Sequence, residues 1–411
     1  MTADTAQCPT GLGHLASGRE HIKEIELSFN LEKEGTYFLY ILWDGGGSGT
    51  EKFKAYGNGN LNLIGKSTCI LAEKQPYQPV KDTFSFNFKK GKNVISLIHL
   101  SGDGLNFRNI LLSNKELSEL PPPLNPKLKF PTVELYEKQI GEPAVLLDNP
   151  YVRLFAPKSK ETQAKIIFDY LVRAYDELYK IVGLHTEYKI VVYHFPPKDE
   201  HAKGGTSNCT IWYSYDNLNF ESHKEWTQHK VPHLVGYIEE IAHNFDGHAG
   251  AQFGWEMVGW NLGITVTKKI ANNPILRRNL ADTRATQKKT FQQYIKNGYV
   301  FPSDIPPNLC DRIHAYILWV CENKYRGDFW KDFFAEIRKE QTALQQAETT
   351  SDPDERRNHK YQITVDCFDR LKGVEFKKIL KRYRISQTTA VKSLHPTDSN
   401  WNRRFLPASE Q

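Results

Sequence analysis

A run of prolines divides this chain into two stretches of different hydrophobic rhythm. Leu120-Pro121-Pro122-Pro123-Leu124-Asn125-Pro126, closed by Pro131, cannot continue a helix, because each proline removes a backbone donor and fixes φ. The run favours an extended, semi-rigid spacer, and a domain boundary is expected there. The 411 residues leave room for roughly two or three domains with cores of their own. Before the spacer, Ile25, Leu27, Phe29 and Leu31 alternate with Glu26, Ser28 and Asn30. Tyr37 to Trp43 is a denser apolar run, and Phe84, Phe86 and Phe88 alternate again. Lys89-Lys90-Gly91-Lys92-Asn93 then reads as a tight turn, before Val94 to Leu100 and Phe107 to Leu112. Period-two runs separated by turn signals predict a β-sandwich or barrel. Asp44-Gly45-Gly46-Gly47-Ser48-Gly49 predicts a loop at one rim.

After the spacer the period changes. Ile167, Leu171, Ala174, Leu178 and Ile181 recur at three and four residues and predict an amphipathic helix from about Glu161 to Val182. Tyr188 to Phe195, closed by Pro196-Pro197, and Thr210 to Tyr215 read as strands. From about Gly254 the chain reads as largely helical, most clearly over Ile313 to Glu322, Asp328 to Ala347 and Phe376 to Tyr383. The domains expected are 1–118 β-sandwich, 119–132 linker, 133–275 α+β, 276–395 helical and 396–411 tail.

The net charge of +6 is spread along the chain. No basic run is interleaved with aromatics, which argues against a nucleic-acid partner. No stretch of 18 apolar residues occurs, so no transmembrane segment is expected. Met1 to Gly18 is polar and lacks the apolar core of a secretory signal. Cys8, Cys69, Cys209, Cys310, Cys321 and Cys367 form no CxxC pair or metal-knuckle spacing and read as buried thiols, with room for one disulfide. Asn208-Cys209-Thr210 is a glycosylation sequon.

The chemistry is concentrated in Val231 to Phe245, which reads VPHLVGYIEEIAHNF. Leu234, Ile238, Ile241 and Phe245 make one apolar helical stripe. Glu239 and His243 lie four apart, so both side chains can point at one ion. Glu240 is turned from Glu239 by about 100° and can lie beside that ion without binding it. This is the geometry of H-E-x-x-H, in which two His at i and i+4 hold zinc and the intervening Glu activates the bound water. Here the first position is Glu239. By itself E-E-x-x-H also fits a solvated helix face. His233 lies nearly three turns from His243, and His248 is out of register with an extended metzincin motif, so neither is expected at the ion. Gly204 to Tyr213 reads as a sheet-edge strand able to hold an extended peptide by strand addition. On it Tyr213 and Tyr215 are candidate donors to an oxyanion.

The Glu240-Ile241-Ala242-His243-Asn244-Phe245 stretch, the Glu256-Met257-Val258-Gly259-Trp260-Asn261 run, and Tyr316-Ile317-Leu318-Trp319 with Tyr325 to Phe334 resemble the enhancin-like, mucin-directed zinc metallopeptidases of gluzincin type. The resemblance covers about half the chain, from about Ala164 to Tyr383. It implies a zincin fold, bound Zn2+, secretion, and peptidase activity on protein or glycoprotein substrates. Carried over by position, His243 and Glu256 would be metal ligands and Glu240 the general base. Glu239 stands where the family has its first His. A carboxylate can bind zinc, but a Glu-His-Glu set carries two negative charges and weakens the ion's acidifying effect on water.

The first domain resembles galactose-binding-like carbohydrate modules in Gly35-Thr36-Tyr37, Lys90-Gly91-Lys92-Asn93 and Gly102-Asp103-Gly104-Leu105-Asn106-Phe107. By position, Trp43 and Asn106 would touch a glycan. The bland reading makes Trp43 a core residue and Asn106 a turn residue. The fold expected is therefore multidomain: an N-terminal all-β sandwich (jelly roll), then an α+β zincin-like domain with a C-terminal helical subdomain. Three functions compete: a zinc endopeptidase, a catalytically inactive zincin-fold protein that binds glycoprotein or glycan, and an unrelated α+β enzyme using Glu239-Glu240 as an acid/base pair.

Overall fold

The computed structural model describes residues 5–7, 15–16, 24–45, 52–57, 60–66, 80–101, 104–116, 121–125, 127–203, 205–221, 231–253, 257–271, 274–299 and 307–385. The chain divides into two compact units, Met1–Lys129 and Phe130–Gln411, and the division falls inside the proline-rich stretch.

The first unit is built from strands. β1 (Thr5–Gln7), β2 (Leu15–Ala16), β4 (Gly35–Gly45), β7 (Val80–Phe88) and β9 (Gly104–Ser113) form one sheet, in the order β1-β9-β4-β7 with β2 also on β9. β3 (Glu24–Leu31), β5 (Lys52–Gly57), β6 (Asn60–Lys66) and β8 (Gly91–Ser101) form a second, in the order β3-β8-β5-β6. Every pairing in the two sheets is antiparallel. The expected alternation is realised: Phe86 and Phe88 are buried while Ser85 and Asn87 are exposed. Phe29 of β3 meets Phe88 of β7 edge-on at 5.2 Å, joining the two sheets. The turn at Lys89 to Asn93 passes from one sheet to the other. Gly91 holds φ +102° there, in the left-handed region that favours glycine. Buried Asn93 donates through Nδ2 to the carbonyls of Lys89 and Gly91, each at 2.8 Å. β5 and β6 were not legible as strands. β4 runs on through Asp44 to Gly45, and the rest of the expected glycine-rich loop lies outside the described residues.

The second unit centres on a sheet of order β10-β11-β12-β14-β13. Its strands are β10 (Ala144–Asp148), β11 (Val152–Pro157), β12 (Ile190–Phe195), β13 (Gly205–Ser207) and β14 (Thr210–Ser214). β11, β12 and β14 are parallel, and β10 and β13 run antiparallel at the edges. Every residue of β12 is buried, as a central strand covered on both faces requires. Helix α1 (Val133–Ile140) is capped by Thr132 and brings Tyr136 against Phe155 and Tyr193. Helix α2 runs from Glu161 to Val182 as its period predicts, with Gly183 at φ +70° closing it. Helices α3 (Val231–Ala249), α4 (Met257–Ile270), α5 (Pro274–Lys296) and α6 (Pro307–Lys324) follow, then α7 (Phe329–Lys339), α8 (Gln341–Glu348), α9 (Pro353–Arg370) and α10 (Phe376–Arg382). None of the described helices is long and apolar enough to cross a membrane. Of the cysteines, Cys209, Cys321 and Cys367 are buried free thiols.

The single helix expected over Asp328 to Ala347 is two. Glu340 ends α7, and the Gln341 side chain of α8 donates to the Ala249 carbonyl at the end of α3 at 3.0 Å. The break lies where the chain reaches a distant helix, a contact no local pattern encodes. Sheet and helices share one apolar core running from Val152 to Ile385. Within it Phe368 stacks on Phe333 at 3.9 Å and packs against Phe329 and Phe376. Phe368→Ala should lower unfolding stability by about 3–5 kcal/mol, read as a drop in denaturant midpoint with the slope unchanged.

Candidate functional site

Helix α3 is buried along the stripe the sequence predicts: Leu234, Ile238, Ile241 and Phe245 are all at or below 1% exposure. Phe245 meets Tyr175 of α2 edge-on at 4.9 Å. Two polar anchors fix the helix against the sheet. On one side Tyr237, fully buried, shares a 2.5 Å hydrogen bond with His194 Nε2 of β12. His194 Nδ1 lies 3.2 Å from the Phe155 carbonyl. A carbonyl only accepts, so Nδ1 carries the proton and Nε2 accepts from the tyrosine. Burial depresses His194 from its ordinary 6.5 to about 4. On the other side Asn244 Oδ1 accepts from the Cys209 amide at 2.8 Å, and its Nδ2 donates to Thr206 Oγ1 at 2.8 Å. These bonds tie α3 to the β13–β14 hairpin, whose turn residues Asn208 and Cys209 both have positive φ. Edge strand β13 is thereby held beside the helix.

The second stripe of α3 faces α4. A Cβ placed on Gly263 would come within 2.8 Å of Glu239 Cα and 3.1 Å of its backbone nitrogen. A Cβ on Gly259 would overlap His243 Nδ1 and reach 2.9 Å from its Cε1 and 3.0 Å from Asp246 Oδ2. Two glycines four apart thus let the backbones approach where any side chain would separate them. Against this surface Glu239 and His243 converge, with Oε1 and Nε2 3.7 Å apart. The His243 side chain is 11% exposed and that of Glu239 31%. Tyr213 reaches the same place from β14. Its ring lies 4.2 Å from that of Tyr237, and its hydroxyl lies 3.4 Å from the Cβ position of Gly236, one turn before Glu240. Burial above all, then the charges of Glu240, Tyr237 and Glu239, push the Tyr213 phenol well above its ordinary 10. The phenol thus stays protonated in the field of the two carboxylates.

Tyr215 stands elsewhere. β14 ends at Ser214, whose side chain caps a short 3-10 turn over Tyr215–Leu218. Tyr215 turns away with it, and its phenol is raised by burial first and by Glu142 next. Glu256 lies outside the described residues, as does the rest of 254–256. Among the described residues no group of three His, Cys, Asp or Glu is placed to hold a metal. In the first unit Trp43 pairs with Phe107 across β4 and β9, and Asn106 pairs with Asp44. Their backbones are therefore neighbours, beside an irregularity between Leu42 and Trp43. His248 is exposed in the last turn of α3.

Sequence reasoning did not single out Tyr237, His194, Asp246 or the anchoring role of Asn244. The Gly259/Gly263 spacing on an apolar helix was the one legible signal of the close approach.

No protein-family model matches the chain, and no curated protein does. Among solved structures, a family 35 carbohydrate binding module from Clostridium thermocellum is similar over 28% of this chain and 90% of its own, at 19% identity and TM-score 0.20. A family 35 module from Cellvibrio japonicus covers 28% of this chain and 84% of its own, at 16% identity and TM-score 0.20. A functionally unknown conserved protein from Bacillus anthracis covers 90% of this chain and 79% of its own, at 12% identity and TM-score 0.40.

Two outcomes test the site's construction. Gly263→Ala should cost about 1–3 kcal/mol, because the new methyl meets backbone. Gly247→Ala, with nothing within 4 Å of the added Cβ, should be neutral or gain up to about 1 kcal/mol from helix propensity. Chemical denaturation of both variants checks the contrast. His194 sets a pH dependence. Its folded value is depressed, so its contribution is complete above about 6.5 and is lost as pH falls from there towards about 4. Wild type should lose stability over that window, and His194→Gln should flatten that part of the profile.

Proposed function

We propose that this chain is a zinc-dependent endopeptidase acting on proteins, glycoproteins among them, with a zincin-type second unit. The observation that carries the reading is the convergence of Glu239 Oε1 and His243 Nε2 at 3.7 Å on one helix face. Two ligands each about 2.0–2.2 Å from a tetrahedral ion stand about 3.4 Å apart, so the pair is spaced to share one. A carboxylate oxygen and an imidazole nitrogen are both zinc donors. Glu256 is the third ligand in this reading, by resemblance to the gluzincins. Bound zinc would supply an acidified water at neutral pH.

The remaining work falls to the chain's own residues. The Glu240 carboxylate takes the proton of the attacking water and passes it to the leaving amine. Tyr213, whose phenol stays protonated beside the two carboxylates, donates to the developing oxyanion. The β13 edge, fixed to α3 through Asn244, pairs with the backbone of an extended substrate. Trp43 and Asn106, neighbours across β4 and β9, are the proposed contacts to a glycan on that substrate.

Glu239 favours a second reading, a zincin-fold protein that binds glycoprotein or glycan without hydrolysing it, because an added negative ligand weakens the acidity of a bound water. One series separates the two. Glu239→His should raise hydrolysis of a glycoprotein substrate, since it removes one negative ligand. Adding Glu240→Gln should lower that activity by about 10²–10⁴-fold while metal content, read by atomic absorption, is retained. Wild type faster than Glu239→His would make Glu239 an adapted ligand. Zinc absent from both forms would sink the peptidase reading.

A further inference from the structure

We infer that Arg284 and Gln287 form a binding site for one small carboxylate anion, of the size of formate or acetate, among helices α4, α5 and α6. Both residues lie on α5, three apart and so on one face. Arg284 is 5% exposed and Gln287 1%. Arg284 Nη1 donates to Asn261 Oδ1 of α4 at 2.6 Å and to Gln287 Oε1 at 2.8 Å. Asn261 Nδ2 in turn donates to the Met257 carbonyl at 2.8 Å. The guanidinium carbon stands 5.7 Å from the centre of the Trp319 ring of α6, within the range of a cation–π contact. These hydrogen bonds use one nitrogen of the guanidinium. Its Nε and Nη2, with Nε2 of Gln287, are buried and have no hydrogen-bond partner among the described residues.

Nε and Nη2 share one edge of the guanidinium, and their parallel N–H bonds match the two oxygens of a carboxylate. Buried donors call for acceptors, most of all on a charged group. Burial pushes the Arg284 guanidinium down to about 10, and the charge of Glu322 on α6 opposes that shift without cancelling it. Glu322 does not serve the fork: its Oε1 accepts from Thr265 Oγ1 at 2.7 Å, and its Oε2 has no hydrogen-bond partner among the described residues. Lys268 of α4 adds a second cation, depressed by desolvation first and by Arg284 next. Two cations thus stand against one carboxylate, and three nitrogens without acceptors against one oxygen without a donor. The deficit is of negative charge and of acceptors, and a carboxylate supplies both. Half-buried Thr265, Trp319 and Glu322 and exposed Lys268 form the rim. The fork lies one side chain below the surface, so a ligand of a few atoms reaches it when a rim side chain swings aside. Such an anion would serve α4, α5 and α6 whether or not α3 binds zinc.

The test uses the full-length, metal-free chain and 13C-labelled formate, with sodium acetate and sodium chloride as competitors. Wild type should broaden the formate carbon resonance saturably. Acetate should reverse the broadening at about a tenth of the chloride concentration or less, because chloride cannot place one oxygen on each N–H of the fork. Arg284→Lys keeps the charge and removes the fork, and should weaken formate binding about 10–100-fold. Glu322→Gln removes the opposing charge and should strengthen it. Formate should also raise the denaturant midpoint of wild type above its value in equal chloride, and should not do so in Arg284→Lys. No saturable broadening by wild type would overturn the site and leave water as the partner of the fork. Chloride competing as well as acetate, or formate binding unchanged in Arg284→Lys or weakened in Glu322→Gln, would also overturn it. If Arg284→Lys does not fold, the wild-type competition and Glu322→Gln still decide the matter.

Discussion

The second unit depends on how closely α3 and α4 approach. Without a side chain at Gly263, the backbone of α4 lies against the Glu239 backbone of α3. Without one at Gly259, there is room for the His243 ring and the Asp246 carboxylate. The approach partly buries the polar stripe of α3 on one side while its apolar stripe is fully buried on the other. The polar groups of such a helix that do lie in the core need partners, because an unpartnered polar group there costs about as much as a core methylene deletion or more. That requirement explains the density of side-chain hydrogen bonds along α3.

Those bonds hold the helix in one position relative to the sheet. His194 lies on a fully buried central strand and meets Tyr237. Asn244 reaches both Thr206 and the Cys209 amide, and spends its second donor hydrogen on the Glu240 carbonyl. The positive φ values at Asn208 and Cys209 sit where that contact is made. Positive φ at both loop positions matches the twist of a two-residue hairpin, and Asn244 holds that turn through the Cys209 amide. The result is a helix face, an edge strand and a tyrosine held together by groups that are not themselves reactive.

The face carries more negative charge than H-E-x-x-H would. Glu239 and Glu240 are adjacent, and the Tyr213 phenol feels both. Exposure moderates the repulsion at Glu239, which keeps about a third of its side-chain surface in water. His243 is the more enclosed of the two, with 11% of its side-chain surface exposed. The helical part adds rigidity from behind: Gln341 binds the end of α3, and Phe253 packs among Tyr361, Phe368 and Phe376. The loop after α3 is thereby anchored on the aromatic core.

The sequence by itself determined what is local. The period of Ile167, Leu171, Ala174, Leu178 and Ile181 set α2 to the residue, and the alternation around Phe86 and Phe88 set burial of one strand face in the first unit. The four-residue spacing of Glu239 and His243 put them on one face. These follow from the helix and strand repeats, which act over a few residues. Only the tertiary structure decided that the predicted helix over Asp328 to Ala347 breaks at Glu340, that Tyr215 turns away while Tyr213 turns in, and that Gly259 of α4 comes against the His243 ring. Each of those depends on a partner brought in from elsewhere in the chain. Local propensity cannot carry that information, because the energy that selects the conformation comes from the distant contact.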